Sequence, residues 1–254
     1  MKKVKHWLQA YFLFIVVSVV VLLLWEWLVR ASFVPSFILP APTSVIVMIM
    51  DNWQALIFEH LSATMLEFVI GFTISICGGV LLAVCMFFSK TMEKIMYPAI
   101  LISQTIPIIA LSPIFVLWFG YTIWSKVAVT VLISFFPIVV STYDGLRSSD
   151  KDYMELFRAM GASRWQMFRK LHVPMALPAF FSGLKLAIVY ALVGATIGEW
   201  LGASEGLGYY SRRMSGNLNA EGVFAAITIL SILGMLLFGL VSFIEKRILR
   251  WKLD

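Results

Sequence analysis

From Trp7 to Trp25 the chain runs without a single charged residue, and similar stretches recur at Phe68–Ser89, Ile95–Ser125, Val127–Tyr143 and Gly222–Ile244. A bilayer core takes about 20 mostly apolar helical residues, and its lack of water restricts spanning backbone to helices or closed barrels. None of these runs alternates in polarity as a barrel strand would, so helices are the only solution. A sixth run, around 179–197, carries one lysine, Lys185. With 61% hydrophobic and 13% charged residues, against roughly 45–50% and about 25% in soluble domains, the chain reads as an all-α integral membrane protein. Its 254 residues make one membrane domain, 1–254, with crossings expected at about 7–29, 62–89, 95–120, 124–144, 177–199 and 222–245. The first run is too long for a signal-peptide core and no small-x-small cleavage site follows, so it is a retained helix.

Lysine and arginine stay cytoplasmic during insertion, so their distribution gives the orientation. One side holds Lys2, Lys3, Lys5, Lys90, Lys94, Arg147, Lys151, Arg158, Arg164, Arg169, Lys170, Lys246, Arg247, Arg250 and Lys252. The other keeps Arg30, Lys126, Arg212 and Arg213. Both termini are therefore expected in the cytoplasm. A net charge of +6 placed this way reports topology and not nucleic-acid binding.

Residues 43–58 put Val45, Ile49, Trp53, Leu56 and Ile57 near one helical face. The segment is too short to span and suits a helix lying on the outer membrane surface. Cys77 and Cys85 sit eight residues apart with no histidine or acidic cluster near them, so packed free thiols are expected and no metal is implied. His6, His60 and His172 stand alone near membrane boundaries and read as interfacial.

In the fifth run Gly183, Ala187, Ala191 and Ala195 recur every fourth residue, and Gly194, Gly198 and Gly202 form a second series. Such faces let helices approach closely where lipid gives no hydrophobic drive. This should be the most enclosed helix, whether its small face packs or lines a pore. The segment 149–174 is the charged exception. Ser149-x-x-Asp152 is a capping-box pattern, Gly161 a permissive stop, and Ser163-x-x-Gln166 a second start that Pro174 should end. Two short helices with a glycine bend follow, and Met154, Phe157, Trp165, Phe168 and Leu171 between basic residues suit docking into a groove on a cytosolic partner. A helix-turn-helix DNA reader is excluded, because this module is tethered between two spans and has no folded core of its own.

Glu155, Gly161 six residues on, Leu171, and Val173-Pro174 resemble the EAA loop of the permease subunits of ATP-binding-cassette importers. Here Leu156 and Phe157 stand where that family has two alanines, and Val173-Pro174 where it has Leu-Pro. The resemblance implies a coupling helix docked on the ATPase through Glu155, Phe157, Ala159, Gly161, Ala162, Leu171 and Pro174. "LPAPTSV" (39–45), "QTIPIIALSPIFVLWFG" (104–120) and "GEWLGASEGLGYY" (198–210) look like the branch that imports taurine, aliphatic sulfonates, nitrate and thiamine pyrimidine precursors. "SGNLNAEGVFAAI" (215–227) is similar to permeases for the pyrimidine precursor, with sulfonate, taurine or nitrate as the alternative substrates. The family implies a bacterial cell membrane, a second copy of the chain, two cytosolic ATPase subunits and an extracytoplasmic binding protein. No GxxxxGK[ST] phosphate loop occurs, so ATP is bound by the partner and no cofactor is expected in this chain.

A secondary transporter is the rival from another class, yet no internal repeat occurs and only Lys185 stands out as a charge within a run. A membrane enzyme would need a nucleophile, base and acid set or a metal motif, and none is present. The translocation path is expected along the proline-broken third span and the small-residue face of the fifth, with Gln104, Thr105, Pro107, Ser112, Gly194, Gly198 and Glu199 along it. Pro107 and Pro113 remove backbone donors and leave carbonyls free at membrane depth. Neutral amide and hydroxyl groups suit a passing polar solute, since a fixed charge at mid-membrane costs about 2.5–3.5 kcal/mol.

Overall fold

The computed structural model describes residues 2–250. Those residues form helices joined by short turns, with no strand among them. Five helical stretches are long and apolar enough to cross a membrane: Phe12–Arg30, Ala55–Phe88, Ile123–Arg147, Arg164–Gly202 and Ala220–Ile248. A sixth crossing is possible only as a broken one, because α4 (Lys90–Ser103) and α5 (Ile108–Phe119) meet at 103°. The break falls at Gln104–Pro107. Pro107 is the extended residue before α5, with ψ 118°, while Pro98 and Pro113 lie inside their helices. Of the three prolines in this run, Pro107 marks the bend.

The first helix, α1 (Lys2–Arg30), leads to α2 (Pro42–Asp51). The carboxylate of Glu26 ties them, accepting from Arg30 and from both the backbone N–H (3.1 Å) and the hydroxyl (2.7 Å) of Thr43. The expected surface helix over 43–58 differs in two ways. It ends at Asp51, and it buries Val45 in a cluster with Leu56, Leu207, Tyr210 and Ala225. Ala55–Leu61 then turns as π-helix and runs straight into α3 (Ser62–Phe88), so the second crossing starts seven residues before the position that apolar content suggested.

The central pair is α6 (Ile123–Arg147) and α9 (Val173–Gly202), the most extensive contact in the molecule, with α3 against α6 next. The small residues explain it. A Cβ at Gly183 would stand 2.6 Å from the Pro137 carbonyl, one at Gly194 2.8 Å from the Thr130 Cα, and one at Gly198 2.8 Å from the Lys126 Cα. These backbones touch because no side chain separates them. The fifth run thus packs closely as expected, but α6 is the more enclosed helix. Its partners cover it on several faces, whereas α9 leaves Leu186, Val189, Tyr190 and Val193 exposed. The chain ends in α10 (Leu207–Gly216) and α11 (Ala220–Ile248).

Between α6 and α9 lie α7 (Lys151–Ala159), α8 (Arg164–Met167) and a π-helical turn, Phe168–His172. Pro174 does not end a helix here. Helix continues without a break from Arg164 to Gly202. The wider turn just before the proline accommodates its missing N–H and its ring, the kind of local adjustment that lets prolines persist in spanning helices.

Candidate functional site

On the side that carries most of the positive charge, the chain leaves α6 and is capped by Asp150, whose side chain accepts from the Asp152 N–H at 3.0 Å. The expected cap at Ser149 is displaced by one residue. The Ser149 hydroxyl is instead buried against His172 Nδ1 at 2.7 Å, and the same ring nitrogen lies 3.1 Å from the Leu146 carbonyl. His172 is therefore a buried clasp between the two ends of the loop and not an interfacial side chain. Phe87 meets its ring edge-on at 4.8 Å, and Phe168 stacks near Phe87, Phe88 and Trp165. This cluster fixes the base of the loop on the end of α3.

The glycine bend and the second helix start are as the spacing implied, although the helix that begins at Arg164 runs on into α9. Gly161 takes φ +74°, the left-handed conformation that favours glycine. The Gly161 and Ala162 N–H groups close back on the Arg158 and Phe157 carbonyls at 2.9 and 3.0 Å, ending α7. Ser163 and Gln166 form a complete capping box. Tyr153 and Leu156 of α7 and Met160 just after it are exposed at helical spacing, and Trp165 of α8 is exposed as well. Glu155, Ala159 and Gly161 are also exposed, and Phe157, Ala162 and Pro174 are half-buried. Leu171 is buried in the base, so it supports the surface without being part of it.

At the bend of the third span, Gln104, Thr105 and Pro107 are exposed. Gln104 and Ser103 line a pocket of about 310 Å³ between α4 and α6, closed by Ile100, Leu132, Phe135 and Phe136. Ser112 differs. It is buried, and its hydroxyl has no hydrogen-bond partner among the described residues. Gly194 and Gly198 lie under α6, as described above, so on this chain they make a helix contact and present no open lining.

Glu199 is buried to 1% exposure near the opposite ends of the helices from the charged loop. Its carboxylate accepts from the Thr64 hydroxyl at 2.6 Å and from the Gly208 and Tyr209 N–H groups at 2.5 and 3.3 Å. It thus caps the N-terminus of α10 from a different helix, where the first N–H groups of a helix lack internal partners. The glycines of "GEWLGASEGLGYY" follow from this geometry. A Cβ at Gly206 would fall 2.3 Å from the Glu199 carboxyl carbon, and one at Gly208 2.6 Å from the Thr196 carbonyl. Thr64 also receives the Leu207 N–H at 2.9 Å, and buried His60 accepts from the Gly206 N–H at 3.2 Å. Glu67 and Lys126, both buried, complete the group.

Sequence reasoning missed Glu67 and Thr64, and it misread His60 as interfacial and Ser149 as a helix cap, whereas both are buried. Glu67, at the edge of the uncharged run that starts at Phe68, drew no attention, and Lys126 read as an ordinary outer-side charge. Lys185 is likewise not alone, since Glu245 of α11 meets it at 2.8 Å. Of the two thiols, Cys77 is exposed and not packed, Cys85 is half-buried, and both are free. Among the described residues no group of histidine, cysteine and acidic side chains could hold a metal.

Residues 75–250 match the family described as binding-protein-dependent transport system inner membrane component. The chain belongs to that family. It is a multi-pass inner-membrane permease of the ATP-binding-cassette importer class, whose members work with an ATPase and a binding protein. It is 50% identical over 231 residues to the formylaminopyrimidine transport permease protein ThiX of Halalkalibacterium halodurans, covering 91% of this chain and 92% of that one. It is 32% identical to the riboflavin transport system permease protein RibX of Chloroflexus aurantiacus (93% and 89% covered) and 24% to the taurine transport system permease protein TauC of Escherichia coli (91% and 86%). Two solved structures share the fold. They are the inward-facing MetNI methionine ABC transporter (TM-score 0.55, 24% identity, 78% of this chain and 93% of that chain) and an amino acid ABC transporter (TM-score 0.65, 16% identity, 79% and 97%).

Proposed function

We propose that two copies of this permease form the path for a thiamine pyrimidine precursor of the formylaminopyrimidine class, handed over by an extracytoplasmic binding protein and driven by a pair of cytosolic ATPase subunits. The observation that carries the substrate is the 50% identity to a formylaminopyrimidine permease along nearly the whole of both chains. The loop 149–174 docks the ATPase. Support comes from the exposed apolar row Tyr153, Leu156, Met160 and Trp165, which a membrane protein would not leave in water without an occupant. Glu155 adds charge to that surface, and the left-handed Gly161 sets the angle between its two helices.

The path follows the bend of the third span. Gln104 and Thr105 supply neutral hydrogen-bonding groups at a point where Pro107 breaks the helix. Irregular backbone at membrane depth is tolerated where it is buried in protein or lines a watery cavity. Both residues lie at the surface of the single chain, and a second copy facing them would enclose a path.

The test is reconstitution of the permease with its ATPase and binding protein in liposomes, with uptake of labelled formylaminopyrimidine and of taurine measured in parallel. ATP-dependent uptake of the pyrimidine alone is the expected result. Uptake of taurine without the pyrimidine would transfer the chain to the sulfonate reading.

A further inference from the structure

Three buried charged side chains from three helices meet beneath α10: Glu67 of α3, Lys126 of α6 and Glu199 of α9. As ordinary ions they would leave one negative charge uncompensated in a buried site, which is costly. Their contacts are unequal. Glu199 accepts from three donors, the Thr64 hydroxyl and two backbone N–H groups, the surroundings of a fully charged carboxylate. Glu67 has no such set. Its Oε1 lies 3.5 Å from Lys126 Nζ, and its Oε2 is buried with no donor among the described residues.

Charge-assisted contacts are normally about 2.7–2.9 Å. The second lysine–glutamate pair in the same molecule, Lys185–Glu245, meets that length at 2.8 Å. At 3.5 Å the Lys126 contact is too long for a charge-assisted hydrogen bond. Glu67 also stands one turn from Thr64 on the same face of α3, and the Thr64 hydroxyl reaches Glu199 at 2.6 Å, so the two carboxyl groups face each other. Neither residue brings a hydrogen to that contact as an anion.

We infer that Glu67 is a neutral carboxylic acid whose Oε2–H donates to the Glu199 carboxylate, making it a positioning residue that holds the acceptor on which α10 is seated. The proton supplies the missing donor for Oε2, turns Oε1 into the carbonyl that faces Lys126, and leaves Lys126 and Glu199 as a balanced pair. Nothing else nearby displaces this assignment. His60 is occupied by the Gly206 N–H. Glu205 lies with Ser62 and Ser204 around a pocket of about 480 Å³ next to Glu67 and Lys126, and the basic residues of α10, Arg212 and Arg213, are exposed. The assignment is independent of the transported substrate.

Infrared spectroscopy of the purified permease in nanodiscs reads the proton directly. A protonated-carboxyl C=O stretch that shifts in heavy water should be present in the wild type and in Glu205→Gln, and absent in Glu67→Gln. No such band in the wild type, or a band that survives Glu67→Gln, would overturn the inference. Binding-protein-stimulated ATPase activity of the assembled importer gives the second readout. Glu67→Gln, whose amide also donates, should stay within about twofold of wild type, while Glu67→Leu should lose the stimulation. Equal loss in Gln and Leu would mean that the charge of Glu67 is required and would refute its neutrality.

Discussion

Replacing Gly183 by alanine adds one methyl group where α9 lies on α6. The new Cβ would sit 2.5 Å from Ser141 Cβ and 2.6 Å from the Pro137 carbonyl oxygen, where ordinary contact starts near 3.4 Å. The helices must part by about 1 Å, because the carbonyl belongs to backbone and cannot rotate away. Overpacking a tight contact costs about 1–3 kcal/mol, and the rigid neighbour puts this site at the upper end. Alanine recovers about 1 kcal/mol of helix propensity relative to glycine, so a net loss of about 2 kcal/mol remains. For a chain of this size that amounts to about 4–8 °C in thermal midpoint. The control is Gly239→Ala, which adds the same methyl inside α11 with nothing within 4 Å and keeps the propensity gain without the clash. Thermal unfolding of the detergent-purified variants, followed by tryptophan fluorescence, should separate the two. If both shift the midpoint alike, close backbone approach is not what holds α6 to α9.

Gly161→Asp places a side chain at φ +74°, a strain of about 1–2 kcal/mol. It should lower ATPase recovery on co-purification while the permease still inserts, and normal recovery with normal uptake would discard the docking role of the bend. His172→Ala removes the clasp at Ser149 and leaves a buried hydroxyl without its partner, at a cost of about 1–3 kcal/mol; limited proteolysis should then cut within 149–163 faster than in wild type, and an unchanged rate would show that the clasp does not hold the loop. Cysteines at Ser163 and Ser215 should label from opposite membrane faces, Ser163 from the cytoplasm only, and labelling of both from outside would reverse the orientation. Gln104→Phe should block uptake and leave ATPase docking intact, whereas undiminished uptake would move the path away from the bend.

Spans, close packing and the glycine bend were legible because each depends on local signals: uncharged length, a four-residue period of small side chains, and a residue that tolerates positive φ. Local signals also misled. Ser149 and Asp152 have the spacing of a capping box, but the adjacent Asp150 has a shorter route to the same N–H, and His172 claims the serine from 23 residues away. Pro174 looked like a stop because proline breaks an α-helix, and the π-turn that rescues it carries no composition of its own. The cluster beneath α10 was hardest to foresee. Glu67, Lys126 and Glu199 are far apart in sequence, and only the stacking of three helices shows that each is buried by the others.

One uninterrupted helical rod runs from Arg164 to Gly202, 39 residues or about 58 Å at 1.5 Å per residue. Its first turn is the short helix of the 149–174 loop, and its last turns carry Glu199 beneath α10. A helix of that length moving as one body would act as a lever: a tilt of about 5° around its midpoint would sweep each end through roughly 2.5 Å, comparable to a hydrogen-bond length. Force applied at Ser163 would then need no chain of intermediate contacts to reach Glu199. It would arrive there as displacement, comparable to the contacts that hold the carboxylate to the Gly208 and Tyr209 N–H groups at the N-terminus of α10.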